Sequence, residues 1–140
     1  MNVDFVYNTD FKLNNEIETT QWINAFCKSE GFSIDSLVFA FFNDKELKDL
    51  NVKFLNHDYF TDVISFDESY DGFVKGNIAI SIDRVKENAS EFSCSFDDEL
   101  RRVIIHGVLH FMGFNDKTDD EKKKIKEKEN FAIEMFHVKR

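Results

Sequence analysis

Residues 100–112 read Leu-Arg-Arg-Val-Ile-Ile-His-Gly-Val-Leu-His-Phe-Met, a helical stretch that is apolar on most sides and yet carries two histidines. Leu100, Val103, Ile104, Val108 and Phe111 form one stripe at helical spacing, and Ile105, Leu109 and Met112 widen it until little of the helix is left for water. Such a helix must be packed against other elements, and any imidazole on it needs a polar partner. His106 and His110 stand four residues apart, which places them one turn apart on the same face, so that their nitrogens can converge on a cation about 2 Å away. Gly113 lets the chain leave the helix and turn back. Asp116, ten residues after His106, is then placed to bring a third ligand, completing the pattern H-x3-H-x5-D. Glu99 shares the histidine sector beside Val103. The metal is expected in a cleft at the edge of the core.

The rest of the chain supplies alternating strands and helices. Val3 to Tyr7 alternates as a strand, and Ile17 to Lys28 has helical spacing that ends near Gly31. Ser36 to Phe42 is a β-branched and aromatic run that predicts a buried strand, with Asn43 or Asp44 capping a helix to about Leu55. Asp62 to Phe66 and Gly76 to Ile82 predict two more strands. In the second, Ile78, Ile80 and Ile82 alternate with Asn77, Ala79 and Ser81, so one face is expected to be packed and the other available. A short helix is expected from near Asp83. The histidine helix follows Ser95 in an S-x-x-D capping arrangement, and a last helix runs from about Asp119 to Phe136. This order predicts an α+β (α/β sandwich) fold, with one mixed, mostly parallel sheet of about four strands packed with helices and the metal site on a central buried helix.

At 140 residues, with 17 phenylalanines and 42% hydrophobic residues, the chain is expected to be one domain spanning residues 1–140. No apolar run approaches the roughly 18 residues of a transmembrane helix, and the first residues do not resemble a secretory signal, so a cytoplasmic location is the default. Cys27 and Cys94 lack neighbours at zinc-finger spacing and are expected to be buried free thiols. The net charge of −9 disfavours indiscriminate nucleic-acid binding. Lys122, Lys123, Lys124, Lys126 and Lys128 nevertheless gather near the C-terminus, either as a local basic surface or as a solvated helix face carrying Glu–Lys pairs.

The offsets of the two histidines, Gly113 and Asp116 also occur in the metzincin protease pattern H-E-x-x-H-x-x-G-x-x-H. Gly107 stands where those enzymes carry the glutamate that activates water, which argues against a protease of that mechanism. His106, Gly107, Leu109, His110, Gly113 and Phe114 match instead a signature of the form H-G-x-L-H-x-x-G-[YF]-D-H. Upstream, Thr61-Asp62-Val63-Ile64-Ser65-Phe66 is similar to T-D-V-L-S-F, Gly76-Asn77-Ile78-Ala79-Ile80-Ser81 to G-D-I-x-I-S, and Phe96 with Glu99-Leu100 to F-x-x-E-L. In these motifs the chain resembles the YbeY-type endoribonucleases of ribosomal RNA maturation, over roughly residues 38–121.

The resemblance implies a zinc-dependent, single-strand-specific endoribonuclease. It would hold one Zn(2+) ion through His106, His110 and Asp116 and act on ribosomal RNA and pre-ribosomal particles, at the 3′ end of the small-subunit RNA and in ribosome quality control. No membrane partner is implied, and a monomer is the default. His106 and His110 are the expected catalytic residues. Three departures stand out: Asp116 replaces the family's third histidine, Leu55 its loop arginine, and Asn77 the aspartate of G-D-I. His57 is either a substitute for that arginine or an exposed loop residue. Glu99 either orients a ligand histidine or is a helix-N-terminal charge, while Thr61, Asp62 and Ser65 either shape the cleft or serve turns and strand ends. With Gly107 in place of a carboxylate, no general base is evident. Two alternatives remain: a ribosome-assembly binding factor with a structural metal, and a metal-dependent hydrolase of a non-RNA substrate.

Overall fold

Alternating apolar residues build four strands, β1 (Val3–Tyr7), β2 (Ser33–Phe42), β3 (Val63–Asp67) and β4 (Phe73–Ser81), which pair into one sheet ordered β1-β2-β4-β3. β1 and β4 flank β2 in parallel, and β3 runs antiparallel to β4, so the sheet is mixed and mostly parallel as expected. Five helices complete the chain: α1 (Glu16–Ser29), α2 (Asp44–Leu55), α3 (Ile82–Glu91), α4 (Phe96–Phe111) and α5 (Asp119–Val138). The computed structural model describes residues 2–138. None of the helices among these residues is long and apolar enough to cross a membrane.

The period-2 alternation of strands sorts side chains onto two faces. Leu37, Phe39 and Phe41 of β2 lie beside Gly76, Ile78 and Ile80 of β4, and all of these but the glycine join the principal core with α1, α4 and α5. The opposite face, read as available by alternation, is covered over its second half, although Asn77 remains exposed. Ala79 and Ile64 on that face are buried with Leu47 of α2, in a smaller cluster that also takes in Phe42, Leu50 and Phe66. A helix on each side explains why Ala79, Ile80 and Ser81 are consecutively buried. Ile82, expected in the strand, is instead the first residue of α3, because the Ser81 hydroxyl accepts from the Arg84 amide and caps a helix there.

Two glycines set how closely the histidine helix approaches the sheet. A side chain at Gly107 would place its Cβ 3.0 Å from Ile78 Cδ1. Gly76, at φ +149°, lies under the ring of Phe111, where a Cβ would overlap the Phe66 carbonyl oxygen and meet the ring at 2.9 Å. A gap on the helix thus faces an isoleucine on the strand, and a gap on the strand faces a phenylalanine on the helix. α4 is pinned at one height over β4, and with it both histidines. At the other end of α2, Asn56 closes the helix in the left-handed conformation, φ 57°, a role in which asparagine stands second to glycine.

Candidate metal centre

The ends of α4 are made by local chemistry. Ser95 accepts from the Asp98 amide, and Asp97, Asp98 and Glu99 place negative charge at the positive end of the helix. At the other end Gly113 takes φ +96°, its amide donates to the His110 carbonyl at 3.0 Å, and the Phe114 amide donates to the Leu109 carbonyl at 3.1 Å. These paired bonds form a Schellman cap, which reverses the chain just after His110. The reversal brings the Phe114 carbonyl to 3.0 Å from His110 Nδ1 and returns Asp116 over both histidines.

The three side chains read from sequence as ligands therefore converge. His106 Nε2 and His110 Nε2 are 3.0 Å apart, and Asp116 Oδ2 lies 3.5 Å from the first and 3.6 Å from the second. Ligands about 2.1 Å from a tetrahedral ion stand about 3.4 Å from one another, so the triangle has the size of a metal site. The histidines are also held in the right tautomer. Nδ1 of His106 faces Glu129 Oε2 at 2.7 Å and Nδ1 of His110 faces a backbone carbonyl, acceptors that take the Nδ1–H and leave each Nε2 lone pair directed inward. Two lone pairs facing each other beside a carboxylate repel unless a cation or proton lies between them. The donor set, two imidazoles and one carboxylate, suits zinc and tolerates harder ions through the aspartate.

Glu129 is the functional residue that sequence reasoning missed. It stands on α5 within the buried series Ile125, Glu129, Ala132 and Phe136, and is 6% exposed. A carboxylate inside a helix's apolar stripe was the available signal, because a buried acid needs a buried partner. Its other oxygen accepts from Arg102 at 3.1 Å, so both are engaged. Burial alone would lower the His106 pKa, but the bond and charge of Glu129, with Asp116 and Asp62 nearby, outweigh it and raise the group above the usual imidazole range. Such a site holds positive charge firmly. Glu99, which shares the histidine sector on a helical wheel, does not orient a ligand. Seven residues put it about 10 Å along the axis from His106, where it is buried against Arg102 at 3.8 Å and the Cys94 thiol at 3.8 Å.

The cleft around the triad is shared by the upstream motif. Asp62, Val63, His106 and Asp116 form its waist. One lobe runs past Leu55, His57, Tyr59, Thr61 and Ser65, and the other past Phe92, Arg102, Lys122 and Lys126. Thr61, Asp62 and Ser65 thus line the cleft, although the Thr61 hydroxyl also reaches the Val63 carbonyl. Burial pushes the Asp62 carboxyl up, with His106 and a hydrogen bond from Asn88 acting against it. His57 is exposed, stacks on Tyr59 and lies 3.0 Å from its hydroxyl. Asn77 is exposed. Gly107 faces Ile78 rather than the ligands, so a glutamate there would enter the core and not the site.

Both cysteines are free, and only Cys27 is buried. Its thiol is pushed up to about 12 by burial and by Glu30. Cys94, expected to be buried, is exposed in the short loop before α4, and its pKa is also raised, by desolvation and Glu99. Neither has the depressed pKa of a nucleophilic thiol.

A family model described as Endoribonuclease YbeY matches residues 6–137. The chain belongs to the YbeY endoribonuclease family. Curated relatives named Endoribonuclease YbeY include those of Flavobacterium johnsoniae, 41% identical over 97% of this chain and 98% of that protein, and of Christiangramia forsetii, 43% identical over 97% of this chain and 95% of that one. A solution structure from Thermotoga maritima is similar in fold, with a TM-score of 0.73 and 27% identity, covering 98% of this chain and 90% of its own. The match spans the sheet from within β1 onward, the buried helix and the turn after it.

Proposed function

We propose that this protein is a metal-dependent endoribonuclease of the cytoplasm, active as a monomer, that cleaves single-stranded RNA in ribosomal RNA maturation, at the small-subunit 3′ end, and in ribosome quality control. The observation that carries the reading is the convergence of His106 Nε2, His110 Nε2 and Asp116 Oδ2, with each Nδ1 committed to its own acceptor. These residues would hold one zinc ion. When bound, such an ion acidifies water and polarises a phosphoryl oxygen.

The chain's own groups divide the remaining work. Glu129 and the Phe114 carbonyl hold the imidazole planes, so the ligand nitrogens stay in place when substrate enters. Asp62 shares the waist of the cleft with His106 and Asp116 and is not one of the converging ligands. We assign it the proton leaving the attacking water, the role that Gly107 cannot fill. Names of relatives support RNA as the substrate class, and the open cleft on both sides of the triad suits a strand lying across it.

The test pairs metal analysis with cleavage of structured precursor RNA and of a peptide library. The reading expects about one zinc per chain, lost in His106→Ala and His110→Ala together with RNA cleavage, and no peptide hydrolysis. Metal-free, fully folded protein that still cleaves RNA would overturn it. A folded Asp116→Ala variant that has lost its metal but restores RNA maturation in a deletion strain would favour the binding-factor reading, which Leu55 in place of the loop arginine supports.

A further inference from the structure

The lysine run of α5 is divided by its contacts. Lys128 pairs with Glu30 of α1 at 2.8 Å, Lys124 lies over the Phe114 ring, and Lys123 is exposed and outside the cleft. Among the described residues α5 has no internal ion pair, so of the two readings of this run, a local basic surface and a face of Glu–Lys pairs, the pairs are not formed. Lys122 and Lys126 remain, exposed, without an ion pair among the described residues, and both line the cleft lobe on the α5 side of the metal centre. They stand one turn apart, about 6 Å along the helix axis, close to the spacing of neighbouring phosphates on an extended strand. Phe92 lines the same lobe and is 63% exposed, the most exposed phenylalanine among the described residues. Arg102, also in that lobe, is already committed to Glu129 and Asn130. The opposite lobe, which Leu55 at the end of α2 lines, contains no Lys or Arg among its lining residues.

We propose that Lys122, Lys126 and Phe92 form a subsite for the single-stranded RNA flanking the cleaved bond, the lysines taking consecutive phosphates and Phe92 stacking on a base. This deepens the endoribonuclease reading and rests on it. Two free ammonium groups beside an exposed ring supply the two elements by which single strands are held without sequence preference. The subsite also reconciles a chain of net charge −9 with an anionic substrate, because within the cleft the lysines and arginine line one lobe only.

The experiment is fluorescence anisotropy of the holoenzyme with a labelled 2′-O-methyl single-stranded oligonucleotide, its integrity checked after each titration, across a range of salt. Loss of two phosphate contacts in the Lys122→Ala, Lys126→Ala double variant should weaken binding about 25-fold at 0.1 M salt and reduce the log–log salt slope by about 1.4. Phe92→Ala should weaken binding about tenfold and leave the slope unchanged. Lys123→Ala, which removes the same charge outside the cleft, should change neither. Wild-type binding matched by the double variant and by Phe92→Ala overturns the subsite while leaving the endoribonuclease reading intact. A wild type that neither binds nor cleaves RNA overturns both.

Discussion

Glu129→Gln isolates the contribution of the one buried carboxylate that holds a ligand histidine. The glutamine keeps the shape of Glu129, so no cavity forms, but it has one acceptor oxygen where the carboxylate has two. In the wild type those oxygens serve His106 Nδ1 at 2.7 Å and Arg102 at 3.1 Å. If the amide oxygen faces His106, its NH2 meets the Arg102 guanidinium, which can retreat to Asn130 and Glu99. If the NH2 faces His106, the imidazole must turn over its tautomer and protonate the very nitrogen that should bind metal. Either way His106 loses a charged acceptor and becomes a weaker ligand. Loss of such an outer partner weakens metal affinity about 10- to 100-fold, or about 1.4 to 2.7 kcal/mol. Competition against a fluorescent zinc chelator measures this directly, with circular dichroism to show that the variant is folded. Glu99→Gln is the control and should bind zinc as the wild type does. Wild-type affinity in Glu129→Gln, or the loss appearing in Glu99→Gln instead, would refute the assignment of the two carboxylates.

Asp62→Asn separates stability from chemistry. Because burial raises the Asp62 pKa, the folded metal-free chain binds more protons than the unfolded one between the ordinary aspartate value and the raised one, so its stability falls as pH rises through that window. The metal-free variant should therefore melt higher than metal-free wild type at pH 7, with the gap closing towards the ordinary aspartate range. Its RNA cleavage should fall about 10²- to 10⁴-fold, and unchanged cleavage would remove Asp62 from the proton transfer. Gly107→Glu recreates the protease-like H-E-x-x-H on paper, but its side chain would enter the contact with Ile78 and should destabilise by at least about 1–3 kcal/mol, without peptidase activity; a thermal scan matching wild type would contradict the packing described. Asp116→His, which replaces the carboxylate by a third imidazole, should retain a zinc site and discriminate more strongly against magnesium, as isothermal titration with each ion would show.

The metal triad was legible because its geometry is local: two histidines a turn apart and an aspartate just past a glycine reversal span only eleven residues. The strands and helices were legible for the same reason, with caps at Asn43 and Ser95 where serine and asparagine are expected to act. What sequence did not yield is set by elements distant along the chain. Glu129 meets His106 across 23 residues because α5 folds back along α4, and nothing periodic in α4 announces it. Glu99 stood open between two roles because a helical wheel records angle and ignores distance along the axis, and its place in the first turn of α4 makes it the helix-N-terminal charge. The hidden second face of β4 depends on where α2 docks, and Gly107 reads as a missing base until Ile78 is seen beneath it.

Diffraction from crystals of the zinc-loaded protein, measured on both sides of the zinc absorption edge, decides which side chains hold the ion. A single anomalous peak is expected about 2.0–2.2 Å from His106 Nε2, His110 Nε2 and Asp116 Oδ2, with a fourth position open to the cleft. A peak held by the histidines without Asp116, or no peak between them in protein that cleaves RNA, would contradict that ligand set.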